Sequence, residues 1–157
     1  MRTIQIRTIG KAQEPWHTQA IHSYLTRLSP FAKVEVLELP EGHGKSAKPD
    51  PQKTRQVEAE SLLNNLPKDS TVIALDEHGL NLDVPAFTKK YEAWTEGGRP
   101  LVFLIGGSWG LDQSVLARAD ATLSFGKQTL PHLLARIVLL EQLYRAETIL
   151  HGKTYHK

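Results

Sequence analysis

The sequence predicts an α/β fold, a mostly parallel sheet flanked by helices, on three observations. Five short strand-like runs alternate with helical patterns along the 157 residues. Two of those runs, 71–75 and 101–105, are continuously apolar, as strands covered on both faces are. No internal repeat or linker-like stretch divides the chain, so residues 1–157 read as a single domain. A chain of that length buries about two-thirds of its unfolded surface and needs no covalent staple.

The elements follow in order. Residues 3–9 alternate polar and apolar side chains at period 2, and residues 34–39 do the same, which places both at sheet edges. Between them His17, Ala20, Ile21, Tyr24, Leu25 and Leu28 form one helical stripe. Residues 40–51 are irregular and rich in Gly, Pro and Lys, a loop long enough to be functional. A more polar helix spans 52–66, with Val57, Leu62, Leu63 and Leu66 turned inward. After the strand at 71–75, Asp83 is the N-cap of a helix that tolerates Pro85 in its first turn. That helix carries Phe87, Tyr91 and Trp94 on one face. The strand at 101–105 leads to a short helix at 111–119 and a weaker strand at 121–125. Pro131 opens the last helix, which runs to about Leu150. Its apolar residues nearly encircle it, so its middle is expected to be buried. Glu141 and Arg145 are placed to pair at i,i+4.

Composition narrows the function classes. The absence of cysteine excludes disulfides, thiolate zinc sites and a cysteine nucleophile, and fits a reducing, cytoplasmic setting. The N-terminal run lacks the apolar core of a signal peptide. No apolar run approaches the roughly 20 residues that span a membrane. No His and carboxylate set has convincing metal spacing, so no metal is expected. The net charge is +2, yet from Lys127 onward five cations face two acids. A basic C-terminal segment points to an anionic partner such as nucleic acid.

Three strand ends carry turn chemistry: Asp76-Glu77-His78-Gly79, Gly106-Gly107, and Phe125-Gly126-Lys127-Gln128-Thr129. Ligands of open parallel sheets bind at the carboxyl ends of strands. Leu75, Gly106 and Leu130 would line an apolar slot for an adenine, with hydrogen bonds from the backbone of 126–130. The spacing Gly106-Gly107-x-x-Gly110 departs from the dinucleotide fingerprint, and Asp120 comes too early to be its ribose partner. Gly44-Lys45-Ser46 resembles the end of a phosphate-binding loop, but Leu39 stands where its first glycine belongs. A basic loop touching an anionic partner, or a plain solvent-exposed connection, is the better reading of that segment. His132 is either a helix-start histidine bonded to backbone or a polar group at the mouth of the glycine pocket. Trp16, Trp94 and Trp109 are expected in core or interface, with Trp109 set apart by its place in the glycine loop.

Several stretches together resemble a known family. They are Ile73-Ala74-Leu75-Asp76, then Phe103-Leu104-Ile105-Gly106-Gly107-Ser108-Trp109-Gly110-Leu111, then Phe125-Gly126-Lys127-Gln128-Thr129-Leu130-Pro131-His132. The helix through Glu141-Gln142-Leu143-Tyr144-Arg145-Ala146 and the ending Tyr155-His156-Lys157 complete the pattern. It is similar to the ribosomal RNA large-subunit methyltransferase H family, a branch of the SPOUT methyltransferases, along the whole chain. The resemblance implies a C-terminal trefoil knot, which general topology rules alone would have excluded. It implies a homodimer whose active site draws on both subunits. The implied reaction is methylation, by S-adenosylmethionine, of N3 of a pseudouridine in 23S rRNA within the assembled 70S ribosome. Carried over by position, Leu75, Gly106, Gly126, Lys127, Gln128, Thr129, Leu130 and Pro131 would bind the cofactor. His132, Arg145, Tyr155 and His156 would line the reaction side. Gly126 stands where the family often has serine, so a hydroxyl contact is lost there and backbone contacts survive. Beside that reaction, the resemblance leaves as alternatives a knotted RNA-binding protein without catalysis, or a methyltransferase of related fold acting on tRNA.

Overall fold

The computed structural model describes residues 1–155. Five parallel strands form one sheet in the order β2-β1-β4-β3-β5: β1 Arg2–Ile9, β2 Ala32–Leu39, β3 Thr71–Asn81, β4 Leu101–Ile105 and β5 Ala121–Ser124. The helices are α1 Pro15–Leu28, α2 Pro51–Leu63, α3 Val84–Trp94, α4 Gln113–Arg118 and α5 His132–Leu150. Helices α1, α3 and α5 pack together on one face of the sheet, over a core that includes Ile4, Ile6, Phe103 and Leu143. On the other face α2 and α4 cover Ile9, Val72, Val102 and Leu104. Facing both layers, β4 is buried at every residue, as its uninterrupted apolar run predicts.

Two expectations about the strands need correction. β1 alternates like an edge strand but lies between β2 and β4. Its Arg7 side chain is buried with partners on the α2 face, which is why alternation misled. The Arg7 guanidinium donates to the carbonyls of Leu62, Asn64 and Asn65 at the end of α2, at 3.0, 2.5 and 3.0 Å. Those are helix C-terminal carbonyls without intrahelical donors, so a buried arginine satisfies them. The second correction concerns 76–79, which is not a turn that ends its strand. β3 continues to Asn81 with a register shift against β5 between Leu75 and Leu80. Gly79 sits inside that irregularity, where a Cβ would lie 2.7 Å from the Leu123 nitrogen and from the Thr122 carbonyl carbon. Only glycine lets the two backbones approach this closely.

The helices start where their caps dictate. Asp50, Asp83 and Asp112 each accept a backbone N–H from the first turn of α2, α3 and α4. In α2 the inward residues are Thr54, Glu58, Ala59 and Leu62, whereas Val57, expected inward, is exposed. Glu58 takes the buried place that apolar spacing would have given to a hydrophobe. Trp94 packs on the first core, while Trp16 and Trp109 are exposed. Helix α5 buries Leu139, Leu140, Leu143 and Ala146, but Leu133, Leu134, Ile137 and Val138 are only half-buried in the single chain. Among the described residues no helix is long and apolar enough to cross a membrane.

Candidate active site

The middle of β3, at Leu75 to Glu77, and the carboxyl ends of β4 and β5 open into one cavity of about 690 Å³. That volume falls in the range of small-molecule sites. Leu75, Ile105 and Leu123 form its floor, Gly106 and Gly110 one wall, and Gly126, Gln128, Thr129, Leu130 and Pro131 the other. His132 and Ala135, at the start of α5, complete it. Seven of the eight residues expected to hold a cofactor therefore meet in one place. The eighth, Lys127, lines a smaller neighbouring recess with Glu77, His78 and Asn81.

The loops are shaped by their backbones. A Cβ on Gly106 would meet the Gly110 carbonyl oxygen at 2.8 Å, so that wall stays close only with glycine. Gly107 and Gly110 form an isolated antiparallel bridge, and the Gly110 N–H donates to the Gly107 carbonyl at 3.1 Å. Gly126 has φ +122, a conformation that L side chains rarely adopt, and open space where a Cβ would stand. Glycine is set there by conformation rather than by crowding. The Ser124 hydroxyl accepts the Gly126 N–H at 3.1 Å and fixes the turn. Across it, the Thr129 hydroxyl donates to Glu77 at 3.3 Å.

His132 is built in from below. Gly10, with φ +92, lies directly beneath it, and a Cβ there would come within 2.7 Å of Nε2. One turn on, Arg136 is completely buried. Its Nη1 donates to Glu38 at 2.7 Å and its Nη2 to the Gly10 carbonyl at 3.0 Å. The ends of β1 and β2 are thereby tied to the first turn of α5. Burial, and then the charge of Arg136, hold the His132 imidazole below its ordinary pKa, against a smaller pull from Glu41. It is therefore a neutral imidazole at pH 7, able to accept a proton.

Arg145 and Tyr155 form a separate cluster. Arg145 lies thirteen residues beyond His132 on α5, roughly 20 Å away along the helix axis. Glu141 is its centre: it accepts from Arg145 Nε at 2.5 Å and from the Tyr155 hydroxyl at 3.0 Å. The Arg145 guanidinium lies over the Tyr155 ring at 5.1 Å, and the Tyr144 ring meets Tyr155 edge-on at 4.7 Å. Burial first, and then Glu141, raise the Tyr155 hydroxyl above its usual pKa, and the same causes push Tyr24 up to about 12. Both phenols stay protonated at neutral pH and act as donors. His156, expected on the reaction side, lies outside the described residues. One subunit thus holds two separate clusters, His132 at the cavity and Arg145 with Tyr155 around Glu141.

Sequence reasoning also missed Gly10, Glu38, Arg136 and Glu58. Glu58 accepts the Gly42 N–H at 3.3 Å from α2, and its Oε2 lies 3.0 Å from where a Gly107 Cβ would stand. It joins the 40–51 loop to the glycine turn, and its Oε1 is buried without a partner among the described residues. Desolvation raises its pKa, with Glu41 adding and the Gly42 N–H and His43 opposing. Only spacing could have flagged it, as the acid that breaks the inward stripe of α2.

Comparisons with known proteins agree with this geometry. The family model described as "Predicted SPOUT methyltransferase" matches residues 1–156. A protein of Anaeromyxobacter sp. (strain Fw109-5), named ribosomal RNA large subunit methyltransferase H, is 44% identical over 98% of this chain and 99% of its own length. A protein of Acidiphilium cryptum with the same name is 43% identical over 98% of this chain and 93% of its own. Among solved structures, the crystal structure of a probable rRNA-methyltransferase from Porphyromonas gingivalis superposes with a TM-score of 0.55. At 15% identity, covering 95% of this chain and 69% of that one, it speaks for the fold alone. With a full-length family match and relatives above 40% identity, this chain belongs to the SPOUT methyltransferases.

Proposed function

We propose that the protein is a cytoplasmic homodimer that methylates N3 of a pseudouridine in 23S rRNA of the assembled 70S ribosome, with S-adenosylmethionine as donor. The carrying observation is the cavity at the strand ends, where Leu75, Gly106 and 126–131 converge on His132. Its donor chemistry fits the cofactor. Leu75, Ile105 and Leu130 offer an apolar slot for an adenine, the glycine walls let backbone polar groups approach, and the Asp76 and Glu77 carboxylates suit a cationic ligand. S-adenosylmethionine, when bound, supplies a methyl group activated on a sulfonium. In this proposal the C-terminal part is knotted around that loop.

What the chain itself must do is position the base and handle one proton. N3 is a poor nucleophile until its proton leaves. His132 is neutral and can accept it; His156 of the tail is the second candidate. Arg145 stays charged, so it would stabilise an N3 anion or hold phosphate. Tyr155 is a donor and would orient the base. A second copy brings the two clusters together, since about 20 Å of helix separates them in one subunit. The half-buried apolar residues Leu133, Leu134, Ile137 and Val138 support a subunit interface beside the cavity.

Labelled S-adenosylmethionine incubated with 70S ribosomes or with free 23S rRNA, followed by nucleoside mass analysis, tests the reading. The expected product is N3-methylpseudouridine, formed on 70S ribosomes. Absence of label on both substrates overturns it. Single substitution of His132, Arg145, Tyr155 and His156, with cofactor binding measured separately, tests the residue assignment. Four fully active variants would refute that assignment.

A further inference from the structure

Trp109 is a large exposed aromatic to which the proposed reaction assigns no part. It sits at the rim of the cavity, 43% exposed, at the tip of the turn closed by Gly107 and Gly110. The turn is held rigid: Gly110 has φ +79, and the Glu58 carboxylate lies beneath Gly107. An indole shown to water on a rigid turn is preorganised for a flat partner.

One cation reaches the turn directly. Arg55 of α2 reaches the turn, with Nη1 donating to the Trp109 carbonyl at 3.4 Å. The Asp112 carboxylate feels Arg55 as well but is engaged by the backbone N–H and hydroxyl of Ser114. The loop that leads into α2 lies against that helix through Gly42, which meets Thr54 and Glu58. Residues 41–58 carry Lys45, Lys48, Lys53 and Arg55 against Glu41, Asp50 and Glu58, a small basic excess in a chain whose total is only +2. An exposed aromatic flanked by cations is how proteins hold unpaired nucleic acid: bases stack on the ring and phosphates meet the charges.

We propose that the Trp109 indole is a stacking platform for an unpaired base of the RNA, with Arg55 and the lysines of the preceding loop taking the flanking phosphates. This rests on the reading of the protein as an RNA methyltransferase and adds a contact that selects the strand. Trp109 is a positioning residue here, since no reacting atom needs to touch it.

The test uses the full-length protein, a short oligouridylate and 70S ribosomes. Oligouridylate should quench the tryptophan fluorescence of the wild type, and Trp109→Phe should abolish most of that quenching. Trp109→Ala should raise KM for ribosomes about 10- to 100-fold, the usual loss of one stacked base. Its affinity for S-adenosylmethionine by calorimetry should stay within about twofold, because the indole stands 43% exposed at the rim of the cavity. Arg55→Ala should flatten the salt dependence by about one phosphate contact. Unchanged quenching in Trp109→Phe overturns the proposal. So does an equal loss of S-adenosylmethionine and RNA binding in Trp109→Ala, which would place the indole in the cofactor site. A shifted monomer–dimer equilibrium in sedimentation would likewise overturn it and assign the ring to a second copy. A wild type that methylates no RNA defeats the methyltransferase reading; the quenching comparison then decides the platform by itself.

Discussion

Removing the charge of Glu38 should destabilise the protein more than removing the arginine it binds. The Arg136 side chain is fully buried, while that of Glu38 is 33% exposed. Glu38→Gln leaves a buried guanidinium with the Gly10 carbonyl and no counter-charge. Breaking a buried pair in this way costs about 3–5 kcal/mol. Partial exposure of Glu38 and the acceptor that glutamine retains place the expected loss near 3 kcal/mol. Arg136→Met is different. It removes the desolvated charge, returns Glu38 to water and fills most of the space with an apolar chain. What remains is a Gly10 carbonyl without its donor, worth about 1–3 kcal/mol. The double variant should then resemble Arg136→Met alone, because the charge that Glu38 compensates is gone. Urea denaturation at one fixed protein concentration measures all three, provided the slope m stays constant. A Glu38→Gln loss below about 1 kcal/mol, or one smaller than that of Arg136→Met, refutes the reasoning.

Three further outcomes follow from the same site. Gly10→Ala should cost roughly 1–2 kcal/mol for the left-handed backbone; its Cβ would also displace His132, so calorimetry should show weaker S-adenosylmethionine binding. His132 titrates lower folded than unfolded, so below pH 6.5 the unfolded chain holds more protons and stability falls with pH, by at most about 1.4 kcal/mol per unit; His132→Asn should remove that slope from denaturation curves at stepped pH. Glu58 is shifted the other way, so its contribution weakens as pH rises above 4.5 and through its folded value; Glu58→Gln should be more stable than wild type at pH 7.5 and less so by comparison at pH 4, by thermal melts.

The candidate site divides cleanly between what was legible and what was not. The cavity wall was readable because its residues are consecutive: Gly126 to Pro131 follow a strand, and backbone turns are local chemistry. Leu75 and Gly106 line the same cavity. Lys127 could not be separated from its neighbours, since which side of a turn a side chain takes depends on the strand beneath it. Gly10 and Glu38 were invisible for another reason. They matter only because β1 and β2 end beneath α5, more than 90 residues away in sequence.

By itself the sequence determined the five strands and the five helices, because periodicity, caps and turn glycines act over a few residues. Tertiary structure alone decided the strand order, which put alternating β1 in the sheet interior and carried β3 through its bulge to Asn81. It also decided that His132 belongs with the cavity and Arg145 and Tyr155 with Glu141. The reason is geometric. A 19-residue helix is rigid, so residues close in a motif stand far apart along its axis. Only packing between distant segments says what each end of it meets.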